Sequence, residues 1–164
     1  MEAEFDGIEK SNPNCVVIGD AGERFTYENL NAAFRVLISV ENPVLISMGK
    51  GRYYKEKGVL TMDNGPYTVG LEHASGVNGI IIGKPAREFF HAALDSINVK
   101  PEEAVMIGDD ILSDVGAAQN AAISGILLKT GKFRPEFDLN HPSVHPDAIL
   151  DNLLAAVDLI LSKS

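Results

Sequence analysis

The stretch that most constrains this chain is Val105-Met106-Ile107-Gly108-Asp109-Asp110, with Asp114 close behind it. Four uncharged residues, Val105 to Gly108, read as a strand buried on both faces, as the strands of a parallel sheet usually are. The carboxylates begin where the apolar run stops, which places them at the strand's carboxyl end. Gly108 lets the backbone turn and lets a ligand come close. Asp114 falls about where the following helix makes its first turn. Three carboxylates on one crevice repel one another unless a cation neutralises them. Oxygen-only donors suit a hard ion such as Mg²⁺, which keeps several waters and bridges to phosphate. A lone Asp here would read as a cap or turn former; Asp109, Asp110 and Asp114 together favour a metal site.

Lys84 is the second chemical clue. It follows the apolar run Ile80-Ile81-Ile82 and precedes Pro85, expected at or near the first position of a helix. A helix start offers free N–H groups that favour an anion, and the lysine adds a full positive charge. Parallel strands would place Lys84 and Asp109 on one edge of a single sheet, facing one crevice. A solvated lysine ahead of a helix is the plainer reading; beside the Asp cluster, a Mg²⁺-phosphate site is the better one.

The rest of the chain alternates strand-like and helix-like segments, so a doubly wound, Rossmann-like α/β fold with a parallel sheet is expected. Cys15 to Ile18 and Val44 to Met48 read as strands. Between them Thr26 caps a helix packed through Leu30, Ala33, Phe34, Leu37 and Ile38. Gly49 to Gly65 reads as a loop or hairpin around Val59-Leu60-Thr61, with Asp63-Asn64-Gly65-Pro66 as a turn and a helix from Tyr67 to Ala74. Phe89, Phe90, Ala93, Leu94 and Ile97 are expected to form the buried face of the helix after Pro85. Ser113 or Asp114 to Ala121 reads as a short helix, and Ile126 to Lys129 as a buried strand. A loop with Pro135, Pro142 and Pro146, a brief strand at Ala148 to Leu150 and a last helix packed through Leu153, Leu154, Val157, Ile160 and Leu161 close the chain.

Charge and composition remove several function classes. The 164 residues carry 14 Lys and Arg against 23 Asp and Glu, a net charge of −9. With no basic run, nucleic acid and anionic membrane surfaces are poor partners. No apolar run reaches the ~20 residues that span a bilayer, and Met1-Glu2-Ala3-Glu4 is no signal peptide. The single Cys15 fits a reducing compartment, so a cytoplasmic location is the default. His73, His91, His141 and His145 show no zinc-ligand spacing with Cys15.

Gly83-Lys84-Pro85, the Val105 to Asp110 run with Asp114, and Gly125-Ile126-Leu127-Leu128-Lys129-Thr130-Gly131-Lys132 together resemble the haloacid dehalogenase (HAD) superfamily of phosphohydrolases. Arg52-Tyr53-Tyr54-Lys55 and Gly65-Pro66-Tyr67 extend the likeness over most of the chain. The resemblance implies that Lys84 contacts the phosphoryl group and nucleophile. It makes Asp109 the acidic Mg²⁺ ligand, with Asp110 and Asp114 completing the motif, Asp114 as a further or water-mediated ligand. It implies an α/β cap over residues 1–79 and the C-terminal half of the HAD core over 80–164. Arg52, Tyr53 and Lys55 would lie at a substrate entrance shaped by the cap, although a solvated hairpin is the plainer reading of that segment.

The family's first motif, a strand ending Asp-x-Asp, supplies the nucleophile and the general acid-base; its second is a Ser or Thr at a strand end. Both precede the cap in the family, and here nothing precedes the cap. Asp20 ends an apolar run, but Gly22 stands two residues on and transfers no proton. Ser47 ends a strand inside the cap register, and Ala122 stands where a glycine usually closes the short helix. The expectation is therefore a Mg²⁺-dependent phosphatase in the intact protein, acting on a phosphorylated small molecule or phospho-side chain. This chain alone should be inactive, and its exposed core edges should pair it into a homodimer. The alternative is a non-catalytic α/β module that binds a phosphorylated ligand or a protein partner.

Overall fold

Alternating strand and helix builds two separate three-stranded parallel sheets rather than one, in a computed structural model that describes residues 7–8 and 11–162. The opening Met1 to Glu4 lies outside the described residues. The chain divides into two compact units. One holds the residues up to Tyr53 with Met62–Gly83, the other Tyr54–Thr61 with Lys84 onward.

In the first unit, β1 (Cys15–Ile18), β2 (Val44–Ser47) and β5 (Gly79–Ile81) run in the order β1-β2-β5. Side chains alternate across the pleat, and Val16, Ile18 and Leu45 turn inward against Leu37 of α1 (Tyr27–Ser39) and Leu71 of α2 (Asn64–Ser75). Thr26 caps α1 as expected, its hydroxyl accepting from the Asn29 amide at 3.1 Å. The turn expected at Asp63 to Pro66 is instead the start of α2. Asp63 accepts from the Asn64 amide at 2.7 Å, and the helix begins there, earlier than the Tyr67 expected from pattern. Tyr67 stacks on Phe25 with ring centroids 3.8 Å apart.

The expected hairpin is present as β3 (Tyr53–Glu56) and β4 (Val59–Met62). Lys57 and Gly58 both take positive φ, the twist that a two-residue connection needs.

In the second unit, β6 (Val105–Gly108), β7 (Ser124–Leu128) and β8 (Ala148–Leu150) run in that order, with β7 central. Helices cover both faces. Ile126 and Leu128 of β7, with Val105 and Ile107, face Ala156, Leu159 and Ile160 of α6 (Leu153–Leu161). On the other face Leu127 packs with Ile111 and Val115, and Met106 lies against the cluster of Phe90, Leu94, Ala117, Ala118, Ala121 and Ile123. Phe90 and Leu94 belong to α3 (Arg87–Ile97), Ile111 and Val115 to a π-helical turn Ile111–Gly116, and Ala117 and Ala118 to α4 (Ala117–Asn120), with Ala121 and Ile123 just after it. A short helix, α5 (Pro135–Asp138), interrupts the proline-rich loop.

Four further sequence readings need correction. The β6 strand is half-buried rather than buried on both faces, because it pairs only with β7 among the described residues. The short helix expected from Ser113 or Asp114 starts earlier, as the π-helical turn. The α3 helix starts two residues after Pro85. It buries only Phe90 and Leu94, one narrow i, i+4 stripe against α4, while Phe89 and Ile97 stay exposed. Finally, α6 buries Ala156 and leaves Leu153, Leu154 and Leu161 outside, so its apolar residues exceed what one sheet face can cover.

Ala122 closes the short helix α4 with φ 63°, the left-handed conformation in which a β-carbon is strained. Ala122→Gly should therefore raise stability by about 0.5–1 kcal/mol, strain relief exceeding the entropy that glycine loses. A urea unfolding midpoint that fails to rise would contradict this.

Candidate active site

The acidic residues sit where a tight contact fixes them. The π-helical turn after β6 lies directly on the sheet. A β-carbon at Gly108 would collide with the Asp114 carboxylate, and one at Gly125 would press on Val115. Gly108 thus makes room for a side chain of the chain itself, where the sequence pointed to a ligand. Asp110 starts the turn, its Oδ1 accepting from the Leu112 and Ser113 amides at 3.0 and 2.9 Å.

Asp114 is buried, with a side chain only 5% exposed, and burial of a carboxylate is costly unless it is paired. Both oxygens have partners: Oδ1 takes the Lys84 ammonium at 2.6 Å, and Oδ2 accepts from the Asp110 amide at 3.1 Å. Lys84 reaches the acidic group through this ion pair, and not by sharing a sheet edge as expected. The β5 strand that precedes Lys84 pairs with β2, while β6 pairs with β7 in the other sheet. Lys84 stays 41% exposed, able to meet a second anion.

Lys132 is the residue that sequence reasoning missed. Its ammonium pairs with Asp110 Oδ2 at 3.1 Å, and its backbone amide donates to Asp109 Oδ2 at 2.8 Å. Its place after Thr130-Gly131 at the end of β7, the strand beside β6, was the signal available. Asp109 is half-buried, and its Oδ1 accepts nothing from any described residue.

Burial alone would raise the Asp110 carboxyl. The Ser113 and Leu112 amides and the Lys132 ammonium together outweigh that and hold it below the usual carboxylate value. A depressed folded value adds stability above the unfolded value, and that stability is lost as pH falls through the folded one. Asp110→Asn should cost about 1–2 kcal/mol at neutral pH and flatten the loss of stability as pH falls below the ordinary Asp value, about 3.9. An acid profile as steep as wild type would argue against Asp110 as a source of the acid sensitivity.

Among the described residues no three His, Cys, Asp or Glu side chains are grouped to hold a metal by themselves. The donor chemistry nevertheless fits a hard cation at Asp109, whose Oδ1 is uncommitted while Oδ2 is tied to an amide. Asp110 and Asp114 have both oxygens engaged, so they support a cation site rather than supply ready ligands. Arg52 and Lys55 are exposed and Tyr53 half-buried at the hairpin. Asp20 is exposed. Ser47 is fully buried, its hydroxyl donating to Gly49 O at 2.6 Å and bonding Thr68 at 2.9 Å, which leaves it no phosphate to bind.

Residues 81–156 match a family described as HAD-hydrolase-like. Over all 164 residues the chain is 55% identical to the phospholysine phosphohistidine inorganic pyrophosphate phosphatase of Homo sapiens, and spans 60% of that relative. It is 46% identical over 159 residues, 96% of this chain, to the haloacid dehalogenase-like hydrolase domain-containing protein 2 of Bos taurus, again covering 60% of it. The 4-nitrophenylphosphatase of Thermotoga maritima superposes on 92% of this chain and 57% of its own, with a TM-score of 0.77 at 30% identity. Over the part of these relatives that it spans, the chain is thus similar to phosphohydrolases of the HAD type.

Proposed function

We propose that the intact protein is a Mg²⁺-dependent phosphohydrolase, with residues 1–79 as its cap and 80–164 as the second half of its core. The observation that carries this reading is Lys84 held on buried Asp114 in the same unit as Asp109 and its uncommitted oxygen. Substrate phosphate would meet the exposed Lys84 ammonium, which Asp114 holds in one orientation. Asp109 would hold the metal, with Asp114, whose oxygens are engaged by Lys84 and the Asp110 amide, acting on it through a water. When bound, Mg²⁺ neutralises the charge on phosphoryl oxygens. Asp110 starts the turn that carries Asp114, and its own charge is met by Lys132.

The attacking carboxylate is proposed to come from an Asp-x-Asp strand outside this chain, as the HAD resemblance implies. Phosphoramides of lysine and histidine side chains and inorganic pyrophosphate are the substrate classes proposed from the name of the human relative. Arg52, Tyr53 and Lys55 are proposed at the substrate entrance. A cytoplasmic location is proposed from the single cysteine; among the described residues no helix is long and apolar enough to cross a membrane.

This chain alone should show no turnover above background with an aryl phosphate and Mg²⁺, since neither Lys84 nor Asp109 attacks phosphorus. Joined to a segment carrying Asp-x-Asp and the Ser/Thr strand, it should turn over, and Lys84→Ala or Asp109→Ala should then remove roughly a hundredfold or more. Turnover by the isolated chain that Asp20→Ala abolishes would overturn this assignment. A completed protein that stays inert while this chain binds a phosphorylated ligand tightly would replace it with the binding-module reading.

A homodimer is proposed from the uncovered apolar surface: Leu153, Leu154 and Leu161 on α6, and Val17 and Ile80 on the open face of the first sheet. Sedimentation at micromolar concentration should give twice the monomer mass; a clean monomer would contradict it.

A further inference from the structure

We infer that the turn Thr130-Gly131-Lys132 is a positioning device for the cation site, with two parts that act in opposite directions on cation affinity; this rests on the metal reading of Asp109. The first part is backbone. Gly131 has φ 50°, and a β-carbon there would fall on Asp109 Oδ2, so the turn closes onto the carboxylate as only glycine permits. The Lys132 amide then donates to that same oxygen at 2.8 Å. One oxygen of Asp109 is thereby tied and the other is left facing away from the bond, pre-oriented for a cation.

The second part is the Lys132 side chain. Its ammonium lies 3.1 Å from Asp110 Oδ2, and the pair is sheltered, at 19% and 17% exposure. The Oδ1 of Asp110 is already taken by two amides of the π-helical turn. Lys132 therefore removes Asp110 as a direct ligand, and adds a positive charge beside any bound cation. The backbone of the turn favours cation binding at Asp109, and its side chain restrains it. A merely structural turn has no such split, because loosening it by either route disorders the same carboxylates and weakens binding in both cases.

The test is Mg²⁺ titration of the ¹⁵N-labelled chain, read from the amide signals of Gly108 to Asp114, with amide hydrogen exchange in the metal-free state. Gly131→Ala should weaken Mg²⁺ binding tenfold or more. Lys132→Met should tighten it several-fold, since one opposing charge is lost, and Lys132→Arg should bind as wild type does. Without metal, the Lys132 amide should exchange slowly, and Asp109→Ala should speed it at least tenfold. If Gly131→Ala and Lys132→Met weaken binding alike, or neither changes it, the device is overturned while the metal reading stands. If Asp109→Ala binds Mg²⁺ as tightly as wild type, the metal reading falls, and the device with it.

Discussion

The close approach of the π-helical turn Ile111–Gly116 to two strand glycines is the contact on which the acidic group depends. Gly108 and Gly125 leave the space that Asp114 and Val115 occupy. A methyl group at either position would push the turn off the sheet, an overpacking penalty of about 1–3 kcal/mol where repacking is possible. The wider coil of a π turn, compared with an α turn, is a feature that recurs at functional sites. Here it turns Asp114 back under the end of β6, so that one buried carboxylate accepts from the Asp110 amide and from Lys84. The chain from Lys84 to Gly131 is therefore tied together at its polar end by charge, while its apolar clusters hold the sheet beneath.

The charges in that group are balanced in pairs. Lys84 answers Asp114, Lys132 answers Asp110, and Asp109 keeps one oxygen that no described residue meets. Such an arrangement limits the self-repulsion that three neighbouring carboxylates would otherwise suffer. It also separates roles that look identical in sequence. Asp110 serves the backbone and Lys132, Asp114 serves Lys84, and the uncommitted oxygen of Asp109 is the ligand proposed for a cation.

Much of this was legible in the sequence because it was written in local pattern. The apolar run ending in Asp109-Asp110 gave strand β6 and the placement of the carboxylates, Thr26 gave the start of α1, and the strand–helix alternation gave the parallel sheets. What was missed depends on partners distant in sequence. No periodicity shows that β5 and β6 lie in different sheets, or that Lys132 reaches back to Asp109 and Asp110 from the end of a neighbouring strand. The burial of α3 and α6 was overestimated for the same reason. Pattern identifies apolar residues, but only the sheet face available decides how many of them it covers, as Phe89, Leu153 and Leu154 show. The chain spans about 60% of the curated relatives it matches, so the apolar surface on α6 is described for that part alone.

Asp109, held by the Lys132 amide and close in sequence to the Asp114 paired with Lys84, is the proposed binding point for a divalent cation. Mn²⁺, a paramagnetic substitute for Mg²⁺, tests it most directly, because broadening of amide signals falls steeply with distance from the ion. The account predicts that substoichiometric Mn²⁺ first broadens Asp109, Asp110 and Lys132, and that Asp109→Ala abolishes the effect. Broadening centred on another acidic stretch, such as Glu102-Glu103, or an unchanged pattern in Asp109→Ala, would contradict it.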